Sequence, residues 1–256
     1  DLLEEFIASV AEEGATAPAS TVALIEHKIG EIDALLTAQL DEILHHPDFK
    51  KIEATWRGLH YLVMHTETGE MLKLRVFNAS PDELRKDFAK AVEFDQSTLF
   101  KLIYEEEYGT FGGAPYSALL IDHEFGRSNP DMDLMEGLAA VAAAAHAPLL
   151  TAASPRLFDM DSFVELGAPR DLGKIFESAE LIRWRSFRDS EDSRYVALSL
   201  PHILLRLPYG KNTIPVEGID YEEDVDGAEH DKFLWGNAAW AMAERVTNAF
   251  ALYKWT

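Results

Sequence analysis

The residues best suited to chemistry are Asp122, His123 and Glu124, with Arg127 three positions further on. They close a short apolar run, Tyr116 to Asp122, that has the composition of a buried strand. The carboxyl end of a strand is where α/β folds hold their ligands. A carboxylate beside an imidazole can exchange protons with a bound substrate, so one reading is a small-molecule-binding or hydrolytic domain built on this loop. The other is a polar strand-to-helix loop whose side chains bond backbone groups or pair with Arg127.

Other motifs fall short of their chemistry. Gly167 and Gly173, followed by Lys174, are one residue too far apart for a phosphate loop, and Ile175 stands where a magnesium-binding Ser or Thr belongs. A calcium loop opening at Glu222, Asp224 and Asp226 would need a bidentate Glu at its twelfth position, which is Phe233. His123 and Glu124 lack the second histidine of a zinc-protease helix, and the nine histidines show no metal spacing. No catalytic, cofactor or metal site is assigned. Arg183, Arg185 and Arg188 alternate with Trp184 and Phe187, a pattern that also occurs in nucleic-acid binders. Asp189, Glu191 and Asp192 directly behind them make an intramolecular or inter-subunit salt network the better reading.

The elements that position these residues follow from periodicity. Asp1 to Glu13 sets Leu2, Leu3, Phe6, Ile7 and Val10 on one helical face, and residues 14–20 form a joint, so a docking helix on a tether is expected. From Thr21 the residues Val22, Ile25, Ile29, Ile32, Leu36, Leu40 and Ile43 advance by threes and fours, and Pro47 is expected to end that helix. The stripe is thin and its flanks (Glu26, Lys28, Glu31, Asp33, Asp41, Glu42) are charged. That fits a seam for a partner helix, with a helix lying on its own domain as the alternative.

Gly58 to His65 and Met71 to Phe77 alternate like the two strands of an antiparallel hairpin. Ser80 and Glu83 form a capping box with Pro81 between them, which starts a helix running towards Val92; a second helix is expected over Gln96 to Glu107. Asn129 and Pro130 open an alanine-dense helix reaching His146, and Pro148 to Ala153 follows as a strand. Strand, helix, strand is an α/β unit with a crossover. Helical segments are expected at 172–178, 179–188 and 192–200, a solvated loop over the eight acidic residues of 217–231, and a helix from Phe233 to Lys254. The expected fold is α/β, with α+β as the alternative: a small mixed sheet flanked by helices, with an amino-terminal helical arm. Residues 1–55 form the arm, 56–210 the α/β domain, and 211–256 an acidic loop and helix.

Composition narrows the function classes. The 256 residues carry 23 Lys and Arg against 45 Asp and Glu, a net charge of −22 that repels nucleic acid and anionic membranes. With 47% hydrophobic residues the chain can bury a core, and with no cysteine it has neither disulfides nor thiolate chemistry. No apolar run approaches the roughly 18 residues of a membrane span. The chain starts without Met and ends on an amphipathic stretch, as expected of a segment cut from a longer one.

Several stretches resemble the large subunit of the contractile sheath of bacterial type VI secretion systems, the TssC/VipB family. They are residues 40–49 (LDEILHHPDF), 56–61 (WRGLHY), 105–113 (EEEYGTFGG), 184–195 (WRSFRDSEDSRY), 204–210 (LLRLPYG) and 233–239 (FLWGNAA). The resemblance implies a non-enzymatic, cytoplasmic bacterial protein. It would pair with a small sheath subunit and stack with further copies of itself into a tube, whose contraction drives an inner-tube protein outward. It also implies a family member about twice this length, whose carboxyl-terminal half builds much of the sheath wall.

Overall fold

The computed structural model describes residues 21–168 and 171–255; the expected docking helix over Asp1 to Glu13 and the joint over 14–20 lie outside them. In chain order the helices are α1 (Thr21–Leu44), α2 (Pro47–Met64), α3 (Pro81–Lys90), α4 (Thr98–Phe100, continued by a π-helical stretch Lys101–Tyr108), α5 (Asn129–Ala144), α6 (Leu172–Phe176), α7 (Ile182–Asp189) and α8 (Ala239–Tyr253). The strands are β1 (Leu119–Phe125), β2 (Leu149–Ala153), β3 (Val196–Ser199), β4 (Ile203–Arg206) and β5 (Leu234–Gly236). Two compact units result: one holds residues up to Lys51 together with Arg206–Leu234, the other Ile52–Leu205 with the stretch from Trp235 onward. The acidic segment therefore groups with the arm, and the last helix with the α/β body.

The larger unit is built on a parallel sheet in the order β1, β2, β3, with Leu119 opposite Leu149 and Leu149 opposite Val196. Side chains alternate across a strand, so each strand feeds two cores. Leu119, Ile121, Leu149, Ala153, Val196 and Leu198 join the core filled by α5; Leu120, Leu150 and Ala197 join Leu59 and Leu62 of α2 and Trp240 and Ala243 of α8. Helices on both faces are what a parallel sheet requires, and all five residues of β2 are buried. Each fully buried leucine here contributes about 1.5–3 kcal/mol. Close approach of α2 and α8 depends on Gly58, where a Cβ would lie 2.3 Å from the Trp240 indole nitrogen. The β4 and β5 strands form a separate two-stranded sheet.

Local signals set the helix starts. The Glu83 amide donates to Ser80 Oγ at 3.3 Å and the Ser80 amide donates back to Glu83 Oε2 at 2.8 Å, the expected capping box. Ser128 Oγ accepts from the Asp131 amide at 3.2 Å to start α5, with Pro130 in its first turn.

Five expectations are corrected. The hairpin does not form: Gly58 to Met64 belongs to α2, because the residues it buries, Gly58 and Leu62 with Leu59 beside them, recur at three and four, and a short apolar run satisfies both periods. Among the described residues Met71 to Phe77 has no strand partner. A third sheet strand, β3, occupies the second half of the segment expected to be helical over 192–200, and a short β5 precedes α8 where helix was expected from Phe233. Pro47, expected only to end α1, is the first residue of α2, where its missing amide costs no hydrogen bond. The acidic segment is not uniformly solvated: Tyr221 and Glu223 are buried while Glu222 and Asp224 are exposed.

Candidate functional site: an exposed helical seam

The 24-residue α1 carries the stripe singled out by its spacing. Val22, Ile29, Leu36 and Ile43 lie seven residues apart, with Ile25 and Ile32 three residues after the first two, the a and d positions of a heptad. These side chains are not covered. Val22 is 64% exposed, Ile29 53%, Ile32 55%, Leu36 42% and Ile43 52%, while Ile25 and Leu40 are half-buried. Leu35 adds a further exposed apolar side chain beside the stripe. A run of apolar residues at this spacing in open solvent is a candidate interaction surface, since single exposed leucines are common but an aligned stripe is not.

Another face of the same helix is fixed within its own unit. Tyr221 Oη donates to Asp41 Oδ1 at 2.7 Å, and the Asp224 amide reaches the same oxygen at 3.4 Å. One turn on, His45 Nε2 lies 3.2 Å from Glu223 Oε1. Glu223 is held by Arg206 through two hydrogen bonds, accepts from the Tyr209 amide at 2.8 Å, and donates its own amide to the Tyr209 carbonyl at 3.0 Å. The Arg206 guanidinium also stacks over the Tyr209 ring at 4.4 Å. Burial pushes the Glu223 carboxyl up, but Arg206, the Tyr209 amide and His45 together hold it below the ordinary range. Burial and the Asp41 carboxylate push the Tyr221 phenol well above its ordinary value, so it stays a donor. This clasp was not legible as charge alone. The available signal was the alternation of Tyr221, Glu223 and Val225 with acidic residues, a period of two inside an apparent charge run.

The Asp122, His123 and Glu124 side chains lie within β1 and not in a loop after it. Alternation along the strand sets His123 on the face opposite Asp122 and Glu124, and each of the three has its own partner. Asp122 Oδ2 accepts from Thr55 Oγ1 at 2.5 Å, His123 Nε2 lies 3.2 Å from Asp131 Oδ1, and Glu124 lies 2.8 Å from His202 Nε2. Asp131 also accepts from Ser128 Oγ and the Gly126 amide; burial raises its carboxyl but His123 and Ser128 bring it below the ordinary value. Arg127 pairs with Asp159 and Glu180. A cleft of about 320 Å³ beside Glu124, Arg127, Asp131, Arg156 and Asp159 lies at the carboxyl ends of β1 and β2. Among its lining residues Glu124 is paired with His202, Arg127 with Asp159 and Glu180, and Asp131 with His123 and Ser128.

Arg183 spans to α5, with Nη2 2.8 Å from Asp133 and 3.0 Å from Glu136, and the Asp133 carboxylate raises its already high pKa. Arg185 donates to the carbonyls of Phe176 and Ser178, both at 2.7 Å. Arg188, Asp189, Glu191 and Asp192 are exposed. In the rejected phosphate loop, Asp171 caps α6 by accepting from the Lys174 amide at 3.3 Å. In the rejected calcium loop, Lys232 pairs with Asp224 and Glu229.

The sequence pattern of the VipB family (EvpB/VC_A0108, tail sheath N-terminal domain) matches residues 26–256. The chain belongs to this tail-sheath family. It is 52% identical over 233 residues to the type VI secretion system sheath protein TssC1 of Pseudomonas aeruginosa, which covers 90% of this chain and 47% of that relative. The chain spans about half the length of the curated relative it matches. In this tail-sheath chain the stretch 40–49 supplies Asp41 and His45 and the stretch 204–210 supplies Arg206 and Tyr209, so two of the family-like motifs meet at the clasp. The stretch 56–61 supplies Gly58. Among the described residues no helix is long and apolar enough to cross a membrane.

Proposed function

We propose that this chain is the amino-terminal part of a structural subunit of a bacterial contractile secretion sheath, working in the cytoplasm without catalysis, cofactor, membrane or nucleic acid. The seam Val22, Ile25, Ile29, Ile32, Leu36, Leu40 and Ile43 packs against a helix of the small sheath subunit, and further copies of the chain stack into a tube around an inner-tube protein. The observation that carries this reading is the exposed heptad stripe on a helix whose other face is clasped by Tyr221 and Glu223. Holding α1 before the partner arrives lowers the ordering cost of binding. A contracting lattice also needs contacts that persist while subunits rotate, and a helical seam can do this because it moves as one rigid element.

In the same proposal Arg183 and Arg185 brace the α/β body, while Arg188, Asp189, Glu191 and Asp192 are charges offered to neighbouring subunits. The separate partners of Asp122, His123 and Glu124 support a structural role for them. Co-expression of the full-length protein with the small sheath subunit tests the reading. Co-purification and regular tubes in negative stain are expected. A monodisperse full-length protein that ignores the small subunit would overturn it.

A further inference from the structure

The turn at residues 110–113 holds an aromatic side chain out in solvent on a mount fixed from several sides. It follows the π-helical stretch Lys101–Tyr108, which closes where the Gly109 amide donates to the Tyr104 carbonyl at 2.6 Å. Such π-helical turns are rare and occur frequently at functional sites. Tyr104 stacks on Phe100 at 4.9 Å and on Tyr108 at 5.2 Å, and Phe100 and Ile103 are buried in the core that α5 fills, so the base of the mount is packed. Three hydrogen bonds then tie the turn down. Thr110 Oγ1 donates to the Glu105 carbonyl at 2.5 Å, the Gly113 amide donates to the Thr110 carbonyl at 3.0 Å, and the Ala114 amide donates to Glu107 Oε2 at 2.9 Å. Arg75 pairs with the other oxygen of the Glu107 carboxylate. Gly112 has φ +84°, which a type II turn needs at its third residue, and a Cβ on Gly113 would lie 2.3 Å from the Glu107 carbonyl oxygen. Between Thr110 and Gly112, Phe111 is fully exposed. The second position of such a turn suits proline and most other residues, so the backbone does not call for an aromatic ring there. A ring with two torsions on a backbone already fixed has little freedom left to lose on binding, as a hot-spot anchor requires.

We propose that Phe111 is an anchor that inserts into an apolar pocket of the small sheath subunit, one rimmed by lysine or arginine. The rim follows from charge: residues 102–126 contain no Lys or Arg, Glu105 and Glu106 are exposed beside the turn, and Glu107 is already neutralised by Arg75. A second copy is a poor occupant. Its net charge is −22, and its cleft at the carboxyl ends of β1 and β2 sets four carboxylates against two arginines. The inference rests on the sheath proposal and adds to it a point contact on the α/β body, separate from the α1 seam.

The test places the photo-reactive p-benzoylphenylalanine at position 111 of the full-length protein and irradiates tubes formed with the small sheath subunit. A cross-link to the small subunit, on a peptide carrying Lys or Arg among apolar residues, is expected. A cross-link to this protein itself, or none, would overturn the assignment. Two substitutions test the anchor independently of the probe, including where the probe blocks assembly. Phe111→Ala should melt like the unaltered protein and give about tenfold fewer tubes, while Phe111→Trp should keep them. Normal tubes from Phe111→Ala, or a lowered melting temperature, would overturn the anchor, the second by showing that the ring serves its own fold. If the unaltered protein forms no tubes with the small subunit, the sheath reading itself fails.

Discussion

The guanidinium of Arg206 and the carboxylate of Glu223 meet in two hydrogen bonds of 2.5 and 3.1 Å, with side chains only 2% and 1% exposed. The bidentate geometry and the added Tyr209 amide compensate the desolvation that such a pair otherwise suffers. Removing one partner is therefore expected to cost more than the pair itself contributes. Arg206→Met should destabilise by about 3–5 kcal/mol, because a carboxylate is left buried without its cation. Urea unfolding followed at Tyr221 and Tyr209 checks it; a loss within the noise of the measurement would contradict a buried role for the pair.

The same pair sets an acid limit. The folded Glu223 carboxyl titrates below its ordinary 4.5, so it stabilises the fold above that pH and the contribution disappears as pH falls through the lower folded value. Glu223→Gln should flatten the stability profile below pH 4.5 while lowering stability at neutral pH. An unchanged acid slope in the variant would show that other carboxylates control it.

Gly58→Ala places a methyl group 2.3 Å from the Trp240 indole. The ring is locked in the core with Leu62 and Leu150, so α2 and α8 must separate. A loss of about 1–3 kcal/mol is expected for this overpacking, measured by thermal melting. Gly30→Ala, where no atom lies within 4 Å of the added carbon, serves as control and should be neutral or slightly stabilising.

Alanine replacement of Asp122, His123 and Glu124 removes three side chains that serve three different partners. Altered folding or assembly, or no effect, is expected. Normal tubes combined with lost secretion would point to chemistry in this strand and contradict the structural role.

Sequence and structure agree where one local signal acts alone. The Ser80–Glu83 box, the Ser128 cap and the heptad of α1 each specify their element without help from distant residues. Agreement fails where a remote partner decides. Gly58 to Met64 has residues that suit a strand, but burial of Leu59 and Leu62 against Trp240 selects a helix. Val196 to Ser199 is four residues long, too short for its period to show, and becomes a strand because β2 lies beside it. Glu223 looked solvated because seven other acids surround it in sequence, while the arginine that neutralises it stands 17 positions earlier. For the candidate site the stripe on α1 was readable and the clasp behind it was not.

The central claim is that the α1 stripe is free in the isolated protein and buried on assembly. Residues 1–256 contain no cysteine, so an Ile29→Cys substitution in the full-length protein, read by mass on the peptide that carries residue 29, places the one thiol of this stretch at the middle of the stripe. Its reaction rate with a maleimide should be that of an open surface in the free protein and should fall by at least an order of magnitude in tubes formed with the small sheath subunit. Equal rates in both states would contradict the account, because the seam would then face solvent in the assembled sheath.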